Sequence, residues 1–539
     1  MFDEYPRPQM ERSDWLNLCG LWDYAITETA QTPSQWEGQI LVPFSPEAPA
    51  SQVSRLLKPG QYLWYHRLVD FPRYNDRVLL HFGAVDQKAV VWCNGQEVGA
   101  HLGGFTPFTL DITDALDENR HGELLVAVQD DTEKSSLARG KQRLNRGNIW
   151  YTSQSGIWQP VWAEAVPETY IESLRITPHF DESVIEIDAV PGGTVQFMGQ
   201  EYPCPARIHL ESFVPWTPED PHLYGFTVQL GKDRVKSYFA MRKFSVENAR
   251  LLLNNQVYFH NGVLDQGYNP EGLYTYPSDE AMIRDIQLAK DMGFNTLRKH
   301  MKVEPLRWYY HCDRLGMLVW QDMPCGGRGY NPAVVNLPLV SGHSMKDDKY
   351  KLFGRGDLAG RRQYYTELKE MVTTLYNCPS IAMWVAFNEG WGQFDAAKVL
   401  DFIRTLDDTR TIDHASGWHD QKVGQVRSFH VYFHKYRYLP DKLDRAVLLS
   451  EFGGYNLRIW GHTWNEKDFG YNSCVSPDDL EQKLRILYQR EIALAKRAGL
   501  AAAIYTQLTD VEDELNGLIT YDRQVVKIPT DRVKLITNI

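Results

Sequence analysis

The sequence predicts a multidomain chain made of two β-sandwiches, the second one short, followed by a C-terminal (β/α)8 barrel. Three observations lead there. At 539 residues the chain exceeds what a single hydrophobic core supports, so two or three domains are expected. As far as residue 248 it reads as short β-type runs separated by Asn, Gly, Pro and Asp turns. Beyond that point, buried apolar runs alternate with segments of helical periodicity.

The first unit, 1–168, contains β-type runs at 62–69, 77–82, 89–93 and 123–128 with no helical period, the pattern of a sandwich. Asn94-Gly95, between two alternating runs, is a two-residue hairpin signal. The second unit, 169–248, has strands expected at 183–190, 206–211, 225–230 and 234–240, interrupted by the Pro-rich stretch 203–221. It reads as a reduced immunoglobulin-like sandwich. In the third unit, 249–539, eight strands are expected at 257–264, 296–300, 317–321, 381–387, 411–415, 427–431, 446–450 and 501–507. Helical periodicity fills gaps between them at 279–292, 305–315, 360–376, 395–405 and 477–498. Eight strand and helix units in nearly 300 residues make a (β/α)8 barrel, whose functional site lies at the C-terminal ends of the strands.

Composition narrows the function. No stretch approaches the roughly 20 apolar residues of a membrane span. The net charge of −12 opposes binding to nucleic-acid backbones or anionic lipid, both of which need concentrated positive charge. A neutral substrate fits better. The 16 Trp and 29 Tyr suit stacking on sugar rings, although large cores also use them. Seven cysteines, an odd number without close pairs or metal-ligand spacing, suit reduced thiols. The first ten residues carry Asp3, Glu4 and two prolines where a secretion signal has a basic and then an apolar segment. A cytoplasmic location is the expectation.

Two carboxylates carry the chemistry. Glu389 follows the run 381–387 and Glu451 follows 446–450, so both belong at the barrel mouth, on the fourth and seventh strands. Strands four and seven face each other across a narrow barrel. Two carboxyls about 5 Å apart are the arrangement for glycoside hydrolysis with retention.

The run Met383-Trp384-Val385-Ala386-Phe387-Asn388-Glu389-Gly390 resembles the acid/base signature of glycoside hydrolase family 2, the β-galactosidase and β-glucuronidase family. Ser450-Glu451-Phe452-Gly453 resembles its nucleophile signature. Trp216-Thr217-Pro218-Glu219-Asp220-Pro221-His222-Leu223-Tyr224 is similar to the marker ending the family's immunoglobulin-like domain, and 238–246 to the segment leading into its TIM barrel. Ser155-Gly156-Ile157-Trp158 is similar to the end of its N-terminal jelly-roll sugar-binding sandwich. The resemblance spans three domains in the family's order.

It implies that Glu451 is the nucleophile and Glu389 the general acid/base. Asn388 would bond the sugar 2-hydroxyl, a contact that strengthens as charge develops at the anomeric carbon. Tyr432 would orient Glu451, and Arg298 would keep it ionised. His300, two positions beyond Arg298, shares its face by the strand period. Asp265 and Gln266 fall where the family places contacts to the glycone, and Trp418 on the leaving-group side.

Departures from the family matter equally. Gly262-Val263 is followed by Leu264, Asp265, Gln266 and Gly267 where Asn, a basic residue, His and Glu are frequent, so the glycone pocket is not that of the best-known β-galactosidases. Gln321-Asp322-Met323-Pro324 replaces acidic and His residues that can bind magnesium, so neither metal nor cofactor is implied. The Gly-rich insertion 325–357 is expected at the pocket rim.

The resulting expectation is a retaining exo-β-glycosidase acting on terminal β-D-galactosides. β-Glucuronidase, β-mannosidase and α-L-arabinopyranosidase are the alternatives within the family. Family enzymes that take glucuronides use an Asn-x-Lys pair after strand eight, and here Asn516-Gly517-Leu518 puts Leu518 at the lysine position. Asn465-Glu466-Lys467 has the same spacing, and Lys299 or Arg355 are other sources of charge. The partner is a carbohydrate substrate, and a homo-oligomer follows by analogy. A non-catalytic carbohydrate-binding protein is the alternative from another class, disfavoured because it would need neither glutamate.

Overall fold

The computed structural model describes residues 3–71, 77–338, 342 and 344–539. The N-terminal sandwich has a six-stranded antiparallel sheet in the order Gly38–Val42, Gly20–Thr27, Tyr62–Asp70, His121–Gln129, Lys88–Cys93 and Gln96–Leu102. It shares one core with a four-stranded sheet of Trp15–Asn17, Val161–Val166, Arg77–Phe82 and Phe108–Asp111. The alternation visible in the sequence sets the inward face, for Ala89, Val91 and Cys93 are buried in that core. Asn94 and Gly95 form the expected hairpin turn at φ +49° and +78°.

The second sandwich pairs Ser173–His179, Val184–Val190 and Ala206–His209 in one sheet. The other holds Gln200–Pro203, Thr194–Phe197, Tyr224–Leu230 and Asp233–Phe239. Strands at Ser173–His179, Thr194–Phe197 and Gln200–Pro203 were not expected. The last two are only four residues each, set among Pro191, Gly192, Gly193 and Gly199, so their alternation is too short to stand out.

The barrel strands are β1 His260–Asp265, β2 Thr296–Lys299, β3 Leu318–Asp322, β4 Ile381–Val385, β5 Thr411–Asp413, β6 Val426–Val431, β7 Ala446–Gly453 and β8 Ala502–Thr506. They pair in parallel in the order β5-β4-β3-β2-β1-β8-β7-β6, with no ladder between β5 and β6 among the described residues. Helices α1 Asp279–Asp291, α2 Leu306–Leu315, α3 Leu358–Leu375, α4 Ala396–Leu406 and α5 Pro477–Leu487 match the periodic segments. Side-chain caps start several of them: Ser278 accepts from Ala281 N, and Ser476 from Asp479 N. The segment 477–498 is not one regular helix, since a π-turn at Tyr488–Ile492 interrupts it. Strand β1 begins later than expected because Gln256–Val257 folds back on Arg250–Leu253 through Asn254 and Asn255, both at positive φ.

Inside the barrel Leu264, Trp320, Met383, Val385, Leu448 and Ile504 form an apolar plug. Around it, the layer between strands and helices is continuous with sandwich residues, for Phe105, Tyr151 and Trp158 share one core with Tyr268 and Tyr274. Thr275 Oγ1 donates to Trp158 O at 2.6 Å. The second sandwich is anchored elsewhere on the barrel, where Trp216 Nε1 donates to Asp313 O at 2.8 Å and Tyr238 OH to Asp313 Oδ2 at 2.7 Å. The N-terminal sandwich thus reaches the barrel mouth.

Candidate active site

Alternation along β2 sends Arg298 and His300 toward the barrel axis and Lys299 into the helix layer. The Arg298 guanidinium, fully buried, holds Asp322 through two 3.0 Å bonds and reaches Glu451 Oε1 at 3.1 Å and Asn388 Oδ1 at 2.8 Å. Asn388 thereby has its oxygen engaged, while its buried Nδ2 has no partner among the described residues and remains a free donor. His300 Nδ1 lies 2.8 Å from Asp322 Oδ2.

Glu451 lies within β7 near its C-terminal end, and Glu389 lies four residues past the end of β4. The turn there holds Glu389 at φ +49°, a conformation costly for a residue with a side chain, as is frequent at functional positions. His430, near the end of β6, stands between the two carboxylates. Its Nδ1 is 2.8 Å from Glu389 Oε1, and its Nε2 is 3.5 Å from Glu451 Oε1 and 3.1 Å from Ser416 Oγ. One ligand atom from each of Glu389, His430 and Glu451 lies within 4.8 Å of the others, the one such cluster of three or more potential metal ligands among the described residues. Tyr432 OH donates to Glu451 Oε2 and lies 3.1 Å from Thr506 Oγ1.

Burial alone would raise the pKa of Glu451. The charges of His430 and Arg298, with smaller contributions from His300 and Lys141, more than reverse this and hold it at about 2. Arg298 is the cation in direct contact with the carboxylate, and burial keeps the His300 pKa well below its ordinary value. Glu451 is therefore a carboxylate at neutral pH, engaged by a guanidinium on one oxygen and a phenol on the other.

Trp418 packs against His430 with ring centroids 5.4 Å apart, and its buried Nε1 has no partner among the described residues. It lines a cleft of about 1170 Å³ together with Glu389 and Tyr432, Tyr330 from the 325–357 insertion, and Arg143 and Trp150 from the sandwich. The insertion thus forms part of the rim.

Asp265 and Gln266, expected at the glycone, are both engaged by other side chains. Asp265 is turned out of the barrel axis, with Oδ2 2.6 Å from Lys299 Nζ and Oδ1 accepting from Gly267 N, inside a buried network with Glu304 and Lys302. The cause is the strand period, since Leu264 takes the inward position opposite Arg298 and Asp265 pairs in register with Lys299. Gln266 donates to Gln507 Oε1 at 2.8 Å, and Gln507 to Asn516, in a chain beside the site. The sequence reading missed His430, although it lies two positions before Tyr432 and the strand period could have found it. It also missed Asp322 as the partner of Arg298, and every sandwich residue at the rim.

Residues 244–456 match the family described as Glycosyl hydrolases family 2, TIM barrel domain. This segment is similar to the barrel of glycoside hydrolase family 2. A β-glucuronidase of Streptococcus agalactiae is 23% identical over 364 residues, covering 60% of this chain and 58% of its own. A β-galactosidase of Thermoanaerobacter pseudethanolicus is 24% identical over 380 residues, covering 63% and 46%. The chain therefore spans about half the length of these curated relatives. The structure of a β-D-glucuronidase of Dictyoglomus thermophilum superposes with a TM-score of 0.76 at 18% identity, covering 99% of this chain and 98% of that one, which shows a shared fold.

Proposed function

We propose that the protein is a retaining exo-β-glycosidase. The observation that carries this reading is the pair Glu389 and Glu451, brought together around His430 with Glu451 held ionised. A spacing below about 5.5 Å leaves no room for water between carboxylate and sugar, so direct attack by the carboxylate is favoured. Glu451 attacks the anomeric carbon while Glu389 protonates the departing glycosidic oxygen. Glu389, now a carboxylate, then takes a proton from water, whose oxygen displaces Glu451 from the anomeric carbon. Asn388 Nδ2 is placed to donate to the 2-hydroxyl, and Tyr432 to steady Glu451.

For the glycone, the sequence favours β-galactoside over β-glucuronide because Leu518 occupies the lysine position. Leu518 is fully buried in the core, which supports that reading, and relatives of both names keep both sugars in play. Incubation with a 2-fluoro glycosyl fluoride, followed by peptide mapping, tests the mechanism. The sugar is expected on Glu451, and Glu451→Gln is expected to lose labelling and about 10⁴-fold or more in activity while keeping its melting temperature. Labelling of another residue would reject the assignment.

A further inference from the structure

Two cations at the barrel mouth have no counterpart in the mechanism. The strand Gln142–Arg143 of the N-terminal sandwich pairs with Tyr151–Thr152, and alternation turns Gln142 to Asp86, 2.9 Å away, while Lys141 and Arg143 flank it on the opposite face. The segment is tied to the barrel by Arg139 N and Gly140 N, both donating to Cys325 O at 2.8 and 3.0 Å. Lys141 is 6% exposed, with its ammonium 5.5 Å from the Tyr151 ring and 5.9 Å from that of Trp391, two residues beyond Glu389. Arg143 stacks at 3.9 Å on Trp150 and lines the same cleft as Glu389. Among the described residues neither side chain has an ion pair or hydrogen bond, and the buried Nε of Arg143 is unsatisfied. Lysines with so much of the side chain buried are ordinarily paired. Aromatic faces are only a weak substitute for a counter-ion.

Several other cations are already engaged. Lys299 is bound by Asp265 and Glu304, Lys527 by Asp510, and Arg355 donates to Gly392 O and Ser136 O. Lys467 is exposed, and Asn465 donates to Asp513. The Lys141 charge also acts on Glu451 and His300, so it lies within electrostatic reach of the Glu451 carboxylate.

We propose that Lys141 and Arg143 form an anion-recognition site, supplied by the N-terminal sandwich, for a carboxylate carried by the glycoside substrate. The inference rests on the glycosidase reading. The carboxylate belongs either to a hexuronide glycone, which would reverse the preference drawn from Leu518, or to the aglycone, which would leave it standing.

The test compares kcat/KM for para-nitrophenyl β-D-galactoside with that for para-nitrophenyl β-D-glucuronide and β-D-galacturonide, and with that for a carboxy-substituted nitrophenyl β-D-galactoside. Wild type is expected to favour one carboxylate-bearing class. Lys141→Met and Arg143→Gln should each lower the anionic-to-neutral ratio by about tenfold or more, and Lys141→Arg should restore it. A general effect on Glu451 or on folding cancels in that ratio. Hydrolysis of the neutral galactoside with no advantage for either carboxylate, or variants that slow both classes equally, would overturn the inference and leave the glycosidase standing. No hydrolysis of any glycoside and no labelling of Glu451 would remove both.

Discussion

At the scale of single residues, the site turns on how one carboxylate is kept charged in a buried place. Arg298 and Tyr432 engage separate oxygens of Glu451, and its pKa of about 2 means that the carboxylate is present above that value and lost as pH falls through it. Removing a donor to the charged form raises the pKa. Tyr432→Phe is therefore expected to move the acid limb of the trapping rate upward by about one pH unit, as one bond to a charged group is worth. An unmoved limb would show that the phenol does not stabilise the carboxylate. Glu389→Ala is expected to be selective. Glycosides of alcohols, which depend on protonation, should lose about 10² to 10⁴-fold, whereas nitrophenyl glycosides should lose far less in the first step. Equal losses across a leaving-group series would remove its acid role. Both glutamates were legible from their positions after apolar runs. Asp265, expected at the glycone from the family resemblance, pairs with Lys299, because a one-residue offset in a strand reverses the face a side chain takes.

At the scale of elements, periodicity was a reliable guide where runs are long and uniform. The apolar runs 381–387 and 446–450 reappear as β4 and β7, and the two-residue signal Asn94-Gly95 as a turn. Short elements were invisible, and one of them, Gln142–Arg143, delivers the sandwich to the site. Its approach depends on Gly140, at φ +59°, where an added Cβ would stand 2.6 Å from Met301 O and 3.0 Å from Tyr274 OH. Gly140→Ala thus combines a left-handed backbone cost of about 1–2 kcal/mol with a collision against backbone. The expected result is a lower melting temperature and a fall in kcat/KM, since Lys141 and Arg143 must shift with the strand. Gly95→Ala, at a comparable φ with open space around it, should lower stability without that loss of activity. Similar kinetics for the two variants would separate the strand from function.

At the scale of the whole molecule, the N-terminal sandwich and the barrel share a core. Trp158 is fully buried among Phe105 and Tyr274 at their junction, with its Nε1 donating to Gly104 O at 2.8 Å. Differential scanning calorimetry should show these two units unfolding in one transition. Trp158→Ala should lower that whole transition by the equivalent of about 3–5 kcal/mol. A separate sandwich endotherm, or a shift confined to one unit, would contradict a shared core. By itself the sequence determined the order of two sandwiches and a barrel, the strand ends that carry Glu389 and Glu451, and the family resemblance. Those features are written in local periodicity and in contiguous runs of residues. Only the tertiary structure decided that His430 stands between the glutamates, that Asp322 holds Arg298, that Asp265 faces Lys299, and that Arg143 lines the cleft with Lys141 nearby. These contacts join segments up to hundreds of residues apart, and their geometry depends on strand register and domain seating, which no local pattern encodes.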